Sequence, residues 1–283
     1  MIVDITKRIL IVGLGLLGGS YARGLKRFGF HISAITKEQS SIDFALKERI
    51  IDEGSTEIDA RMIGEADLVI FALYPHIFVE WIAENQGLLK SGALITDVTG
   101  VKRSIVYKIQ DILRPDVEFV AAHPMAGRER SGVEFSDASV FKGANYLITV
   151  TPKNSKENIE LIEKIAYEMG FKNVKKVSPK YHDEMIAYTS QLPHALAVAL
   201  INSDIEGRET GSFVGDSYKE LTRIANINET LWSELFLGNK KNLLNSINNF
   251  QDELNKISKC LEDDDKESLE KLFIKSTKRR ENL

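Results

Sequence analysis

The chain has 283 residues, of which 43% are hydrophobic and 28% are charged, and its formal net charge is −4. These values are typical of a soluble globular protein and give no reason to expect nucleic acid as a partner. The longest apolar run, residues 195–201, is far shorter than the roughly 20 residues of a membrane span. Residues 1–10 reach a glycine turn too soon for a signal peptide. Cys260 is the only cysteine, which excludes an intrachain disulfide and favours a cytoplasmic location.

A glycine-rich motif follows the first predicted strand. Residues 8–12 form a short run of branched apolar side chains, residues 13–18 read G-x-G-x-x-G, and a helical pattern comes next. In this context the motif indicates a dinucleotide-binding turn, whose helix N-terminus supplies N–H groups for phosphates. The first glycine makes the tight turn, the second admits the pyrophosphate, and the third lets helix and strand pack closely. The predicted cofactor-binding residues of this turn are Gly13, Leu14, Gly15, Leu16, Leu17 and Gly18.

The end of the second predicted strand, residues 30–35, bears on the choice of cofactor. Dinucleotide folds usually carry an acidic residue here, which binds the ribose 2′-hydroxyl. This chain has Thr36 and Lys37 instead. A hydroxyl and a cation suit a 2′-phosphate, so these two predicted cofactor-binding residues favour NADP over NAD. Glu38 lies close by, however, and binding of the NAD ribose by Glu38 is the alternative.

Further strands are predicted at residues 68–73, 93–97, 117–122 and 146–150, with helices between the earlier ones at 77–85 and 102–113. This alternation predicts a mostly parallel sheet with helices on both faces. Ligands bind at the carboxyl edge of such a sheet. The strand ends therefore add four predicted cofactor-binding residues, which are Leu73, Tyr74, Thr99 and Gly100.

His123 is the candidate catalytic residue at this edge. It follows the predicted strand at residues 117–122 and precedes a loop with proline, glycine and three charges. Histidine is the side chain best suited to proton transfer near neutral pH. The alternative is a histidine that caps a backbone group at the end of a strand.

The second half of the chain is predicted to be helical. Residues 174–177 form a possible last strand, and Ser178-Pro179 is typical of a helix start. Helices are predicted at 181–204, interrupted or kinked at Pro193, and at 218–224, 231–250 and 253–276. We thus divide the chain into a dinucleotide-binding domain, residues 1–177, and a helical domain, residues 178–283.

Three features of this half bear on partners and ligands. Residues 192–201 are apolar all round, which suggests that a second subunit helps to cover this helix. His182 and His194 are twelve residues apart on the predicted helix 181–204. This is not a metal-ligand spacing on one helix turn, and we predict no metal site. Arg223, flanked by apolar residues, is either a surface residue or an anion clamp.

Five segments together resemble the prephenate/arogenate dehydrogenase family of tyrosine biosynthesis, and the resemblance covers nearly the whole chain. They are residues 13–20, 96–102, 122–127 with Ser131-Gly132, 190–194 and 221–225. The resemblance implies a Rossmann-type nucleotide-binding domain followed by an all-helical dimerisation domain, and hence a homodimer. It also implies NAD- or NADP-dependent oxidative decarboxylation of prephenate to 4-hydroxyphenylpyruvate.

The resemblance also implies roles for individual residues. His123 matches the catalytic histidine, which accepts a hydrogen bond from the substrate hydroxyl. Arg223 matches an arginine that holds a substrate carboxylate. His194 matches a histidine of the substrate pocket, and Glu129 matches an acidic residue near the mouth of this pocket. Because the substrate is a dianion, Arg128 is a further candidate for substrate binding.

The sequence is also compatible with three alternative hypotheses. Arogenate is the alternative substrate, and a hydroxyacid or pyrroline-type reductase is an alternative enzyme, although such reductases usually use a lysine or another group on a helix of the second domain. A nucleotide sensor that kept the fold is the non-enzymatic alternative. The chain departs from the family at Thr99-Gly100. Many relatives have glycine followed by serine at these two positions, and their serine contacts the catalytic histidine. In this chain that contact must come from Thr99, the backbone or water.

Overall fold

The computed structural model describes residues 7–127 and 130–282. These residues form nine strands and twelve α-helices. The strands are β1 (Arg8–Val12), β2 (His31–Ile35), β3 (Glu53–Ser55), β4 (Leu68–Phe71), β5 (Leu94–Asp97), β6 (Glu118–Phe119), β7 (Ala121–Met125), β8 (Asn145–Thr149) and β9 (Asn173–Val177). The helices are α1 (Leu16–Lys26), α2 (Gln39–Lys47), α3 (Ala60–Glu65), α4 (Pro75–Asn85), α5 (Arg103–Ile112), α6 (Lys156–Glu168), α7 (Pro179–Ile186), α8 (Leu192–Asn202), α9 (Asp216–Thr222), α10 (Glu229–Gly238), α11 (Lys240–Glu262) and α12 (Lys266–Arg280).

The first six strands form one parallel sheet in the order β3-β2-β1-β4-β5-β6. Side chains alternate between its two faces, so that Ile9 and Ile11 join one buried apolar cluster, whereas Leu10 and Val12 join another. The strand order reverses between β1 and β4, which is where doubly wound folds bind nucleotides. The predicted parallel sheet and nucleotide-binding fold are therefore confirmed.

The prediction of one strand at residues 117–122, ending just before His123, is wrong. The segment divides at Val120 into β6, which ends the parallel sheet, and β7, which runs through His123 to Met125. β7 pairs antiparallel with β8, which pairs parallel with β9, so residues 146–150 also belong to a second sheet of three strands. An apolar run shows that a strand is buried, but it does not show which strand it pairs with.

The second half is helical, as predicted, but its helices begin and end elsewhere. The helix predicted at 181–204, interrupted or kinked at Pro193, changes its helical type just before this proline. A π-helical turn (Ala187–Gln191) joins α7 to α8, and the N–H of Leu192 bonds to the carbonyl of Ala187, five residues earlier. This wider turn accommodates a proline, which has no N–H to donate to the previous turn.

The helices after α9 are also divided differently from the prediction. The helix predicted at residues 231–250 is broken at Asn239, between α10 and α11, and the one predicted at 253–276 is broken at residues 263–265. Asp264 has a positive φ of 54° there, which ends a helix. Within the part of the chain that the structure describes, no helix is long and apolar enough to cross a membrane.

Candidate active site

The glycine turn lies between β1 and α1 at the carboxyl edge of the parallel sheet. Gly13 has a φ of +94°, and its N–H donates to the carbonyl of Ile35 at 2.8 Å. A Cβ atom at Gly18 would overlap the backbone oxygen of Gly13, whereas a Cβ atom at Gly15 would meet no atom within 4 Å. Gly13 and Gly18 are thus required by the turn itself. Gly15 borders open space at the N-terminus of α1, where a phosphate can approach the backbone.

The ends of β2 and β4 adjoin this turn. The N–H of Thr36 donates to the carbonyl of Ser55 at 3.1 Å, and Lys37 is exposed. Leu73 packs beside Gly13, and the hydroxyl of Tyr74 accepts a hydrogen bond from the amide of Asn228, at 3.2 Å, in the helical domain. The strands therefore bring the glycine turn and residues 36–37 and 73–74 to one edge, at the switch point of the sheet.

A fully buried ionic cluster fixes the loop after β5. Nζ of Lys102 lies 2.5 Å from Oδ2 of Asp97 and 3.1 Å from Oγ1 of Thr99, which also donates to Asp97. Oδ1 of Asp97 accepts the N–H of Ala122 at 3.0 Å. Burial lowers the pKa of Lys102, and the attraction of Asp97 opposes this shift. The cluster ties the loop at residues 98–102 to β7 at Ala122, the residue next to His123.

His123 lies beside this loop with part of its surface accessible. A Cβ atom at Gly100 would lie 3.9 Å from its Cε1 atom. The hydroxyl of Thr99 bonds to Asp97 and to the carbonyl of Val101, so it does not replace the serine of the relatives. Nδ1 of His123 instead lies 2.9 Å from Nε2 of His182, on α7. Sequence reasoning missed this contact, because it considered His182 only as a possible metal ligand.

The environment of His123 favours its neutral form. Burial lowers its pKa well below the ordinary value of 6.5, and the nearby His182 and Lys102 lower it further. A neutral imidazole at neutral pH can accept a proton. His123 therefore has the protonation state that a general base requires.

The helical domain contributes the other predicted residues. Nδ1 of His194, on α8, donates to the carbonyl of Ser190 at 2.9 Å, and its ring stacks on Trp232 at 3.7 Å between centroids. Trp232 was not among the predicted site residues, since a tryptophan in an amphipathic helix gives no functional signal. Arg223 is exposed where a 3-10 turn (Arg223–Ala225) follows α9. Arg128 and Glu129 lie outside the described residues.

Two family models match the chain. The model described as "Prephenate dehydrogenase, nucleotide-binding domain" matches residues 21–175, and the one described as "Prephenate dehydrogenase, dimerization domain" matches residues 178–275. The chain belongs to the prephenate dehydrogenase family. It is therefore a dehydrogenase, and neither the reductase nor the nucleotide-sensor reading of the sequence applies.

Individual members of the family resemble the chain over nearly its whole length. A prephenate dehydrogenase of Lactococcus lactis is 29% identical over 98% of this chain and 77% of its own length. The structure of prephenate dehydrogenase from Aquifex aeolicus has a TM-score of 0.89, with 30% identity over 97% of this chain and 99% of that one. A second structure of the Aquifex aeolicus enzyme, in complex with hydroxyphenyl propionate and NAD+, has a TM-score of 0.88 and 32% identity, covering 98% of both chains.

Proposed function

We propose that this prephenate dehydrogenase family member converts prephenate to 4-hydroxyphenylpyruvate and carbon dioxide with NAD or NADP. The observation that carries the proposal is that His123 is partly exposed beside the loop at residues 98–102, which follows β5 of the nucleotide-binding sheet. The bound nicotinamide supplies a hydride acceptor for the ring carbon that bears the hydroxyl. Hydroxyphenyl propionate and NAD+ in the related Aquifex aeolicus structure support both the substrate class and the cofactor class.

His123 acts in this scheme as the general base. As hydride leaves, positive charge develops on the carbon that bears the hydroxyl, and proton transfer to His123 stabilises that change. The proton returns to the same oxygen when loss of carbon dioxide makes the ring aromatic. A positioned base of this kind accelerates a reaction by roughly 10²–10⁴-fold.

Arg223 and His194 are proposed to bind the substrate. A guanidinium is planar and holds a carboxylate in one orientation, and Arg223 is exposed on the helical domain. His194 is held by Ser190 and Trp232 in a fixed orientation. Arg128 and Glu129 remain predictions.

The test is the absorbance of reduced nicotinamide on mixing the purified protein with prephenate or arogenate and with NAD or NADP. We expect the absorbance to rise with prephenate. A rise with arogenate alone would transfer the proposal to the amino-bearing substrate. No rise with any pair, in folded protein that binds a nucleotide, would overturn the proposal.

For the cofactor, we propose a preference for NADP that depends on Lys37. Lys37 follows β2, and in dinucleotide folds the 2′-position of the ribose binds at the end of this strand. We expect Lys37→Glu to lower kcat/KM with NADP and to leave kcat/KM with NAD unchanged. Lys156→Glu, on the distant helix α6, is the matched control. Equal kcat/KM values with both cofactors in the unaltered protein would contradict the preference.

We also propose that the chain forms a homodimer through its helical domain. Large apolar side chains are exposed there in the single chain, including Ile205, Phe213 (86% exposed) and Leu237 (70% exposed). Exposed apolar surface of this kind marks protein interfaces. Light scattering should give twice the chain mass of 31.8 kDa, and a monomeric mass at micromolar concentration would contradict the proposal.

A further inference from the structure

His182 is a buried histidine that joins His123 to a carboxylate. It lies on α7 in the helical domain, and 1% of its surface is exposed. Its Nε2 atom is 2.9 Å from Nδ1 of His123, and its Nδ1 atom is 2.8 Å from Oδ1 of Asp183. The three side chains thus form one line of hydrogen bonds that ends at the candidate base.

The backbone of the other domain determines the direction of these bonds. Oδ1 of Asp183 accepts the N–H of Lys102 at 2.9 Å, and Oδ2 accepts the N–H of Arg103 at 3.0 Å. Both carboxylate oxygens therefore act as acceptors, and Nδ1 of His182 must donate to Oδ1. These N–H groups are at the start of α5, whose dipole also favours a negative charge.

The proton on Nδ1 of His182 determines the state of His123. A neutral imidazole carries one proton, so the Nε2 atom of His182 is an acceptor. Nδ1 of His123, which faces this atom, must then be the donor. The Nε2 atom of His123 is left without a proton, with a lone pair for the substrate hydroxyl.

We propose that His182, oriented by Asp183, is a positioning residue that fixes the tautomer of His123 in which Nε2 is unprotonated. The tautomer of one histidine nitrogen is commonly set by the hydrogen bond of the other, and in serine proteases an aspartate has this role directly. Here a second histidine lies between the carboxylate and the base. The catalytic part of this inference rests on the proposed function, but the tautomer itself does not.

The protonation of the pair agrees with this geometry. Burial is the main cause that lowers the pKa of both histidines, and the ammonium group of Lys102 lowers both further. The Asp183 carboxylate opposes the shift at His182. Both rings are therefore neutral at neutral pH. The assignment of donor and acceptor atoms given above requires this, because each neutral ring carries one proton.

The arrangement also links the base to the packing of the two domains. His123 belongs to the nucleotide-binding domain, whereas His182 and Asp183 belong to the helical domain. The two N–H groups that orient Asp183 belong to the nucleotide-binding domain. The tautomer is consequently set only where α7 is packed against the start of α5.

The first test is nitrogen-15 NMR of the histidine rings in the unaltered protein. The chain has five histidines, and single substitutions assign their signals. We expect His123 and His182 both to be protonated at Nδ1 and not at Nε2 at neutral pH. A proton on Nε2 of His123 would overturn the inference. Because this test needs no substrate, it remains valid even if the absorbance assay fails.

The second test compares two substitutions of the relay histidine. In His182→Gln the side-chain oxygen can reach the place of Nε2 and accept from His123, whereas His182→Leu has no acceptor. We expect His182→Leu to lower kcat on the order of 10²-fold, the lower end of a base contribution, with KM little changed, and His182→Gln to recover most of this loss.

The control for these variants is His31→Leu, on β2, whose histidine pairs with Glu53 at the surface and whose substitution should leave kcat unchanged. The inference would be contradicted if His182→Gln and His182→Leu lost kcat equally and also lost thermal stability equally. His182 would then be a structural residue. If neither variant folds, the NMR measurement on the unaltered protein decides.

Discussion

Nζ of Lys102 lies 2.5 Å from Oδ2 of Asp97, and neither side chain is accessible to solvent. Removing one member of such a pair leaves the other as an uncompensated buried charge, which costs about 3–5 kcal/mol. Asp97 retains the N–H groups of Thr99 and Ala122 as donors, so we expect Lys102→Met to fall near the lower end of this range. Urea unfolding at neutral pH measures the change in the free energy of unfolding.

A surface ion pair provides the control for this prediction. Lys90 pairs with Asp67 at 2.6 Å, but its side chain is 46% exposed, and exposed pairs contribute about 0–1 kcal/mol. Lys90→Met should therefore have a small effect. Comparable effects of the two substitutions would show that the buried pair does not carry the charges that we assign to it.

His123→Asn should lower turnover by about 10²–10⁴-fold, the contribution of a general base. Asparagine cannot accept the hydroxyl proton, and the glycine turn, which we propose to bind the nucleotide, is unaffected. Steady-state kinetics together with nucleotide titration separate the two effects. Unchanged turnover would show that another group is the base.

The buried histidines also predict how stability depends on pH. Their pKa values are lowered in the folded chain, so the unfolded chain binds more protons below the ordinary value of 6.5. Their contribution is thus complete above pH 6.5 and is lost as the pH falls through the lowered, folded values. We expect the thermal midpoint to decrease on acidification below that point, and to decrease less in His182→Gln.

The pH dependence of activity should follow the protonation of His123. Because the pKa of His123 lies well below 6.5, kcat/KM should stay constant as the pH is lowered to 6.5 and fall only at more acidic values. A loss of activity that begins above pH 6.5 would contradict a neutral His123 in the free protein.

Arg223→Gln should raise KM for the substrate, with a smaller effect on kcat and little on the KM for the cofactor. The reason is the loss of a charged partner for a substrate carboxylate, and a hydrogen bond to a charged group contributes roughly 1.5–3 kcal/mol. Initial rates over a range of substrate concentrations measure the change. Normal KM with a lowered thermal midpoint would instead assign Arg223 a structural role.

The sequence predicted those parts of the site that depend on local geometry. The glycine turn is specified by residues 13–18 and their flanking strand and helix, so its place at the sheet edge followed from the pattern alone. The contact between His123 and His182 joins residues 59 positions apart through the packing of α7 on α5. No local periodicity contains that information. The antiparallel pairing of β7 with β8 was missed for the same reason, since the run at residues 117–122 would be equally apolar in either sheet.

The glycine turn offers a prediction that separates folding from cofactor binding. A Cβ atom at Gly18 would overlap the backbone oxygen of Gly13, which cannot move without displacing α1 from β1, whereas a Cβ atom at Gly15 would meet no atom within 4 Å. Gly18→Ala should therefore lower the thermal midpoint. Gly15→Ala should fold with unchanged stability and bind nucleotide more weakly, because its methyl group occupies the space that the pyrophosphate approaches. Thermal unfolding and nucleotide titration of both variants test this, and normal nucleotide binding by Gly15→Ala would show that the phosphates do not lie over this residue.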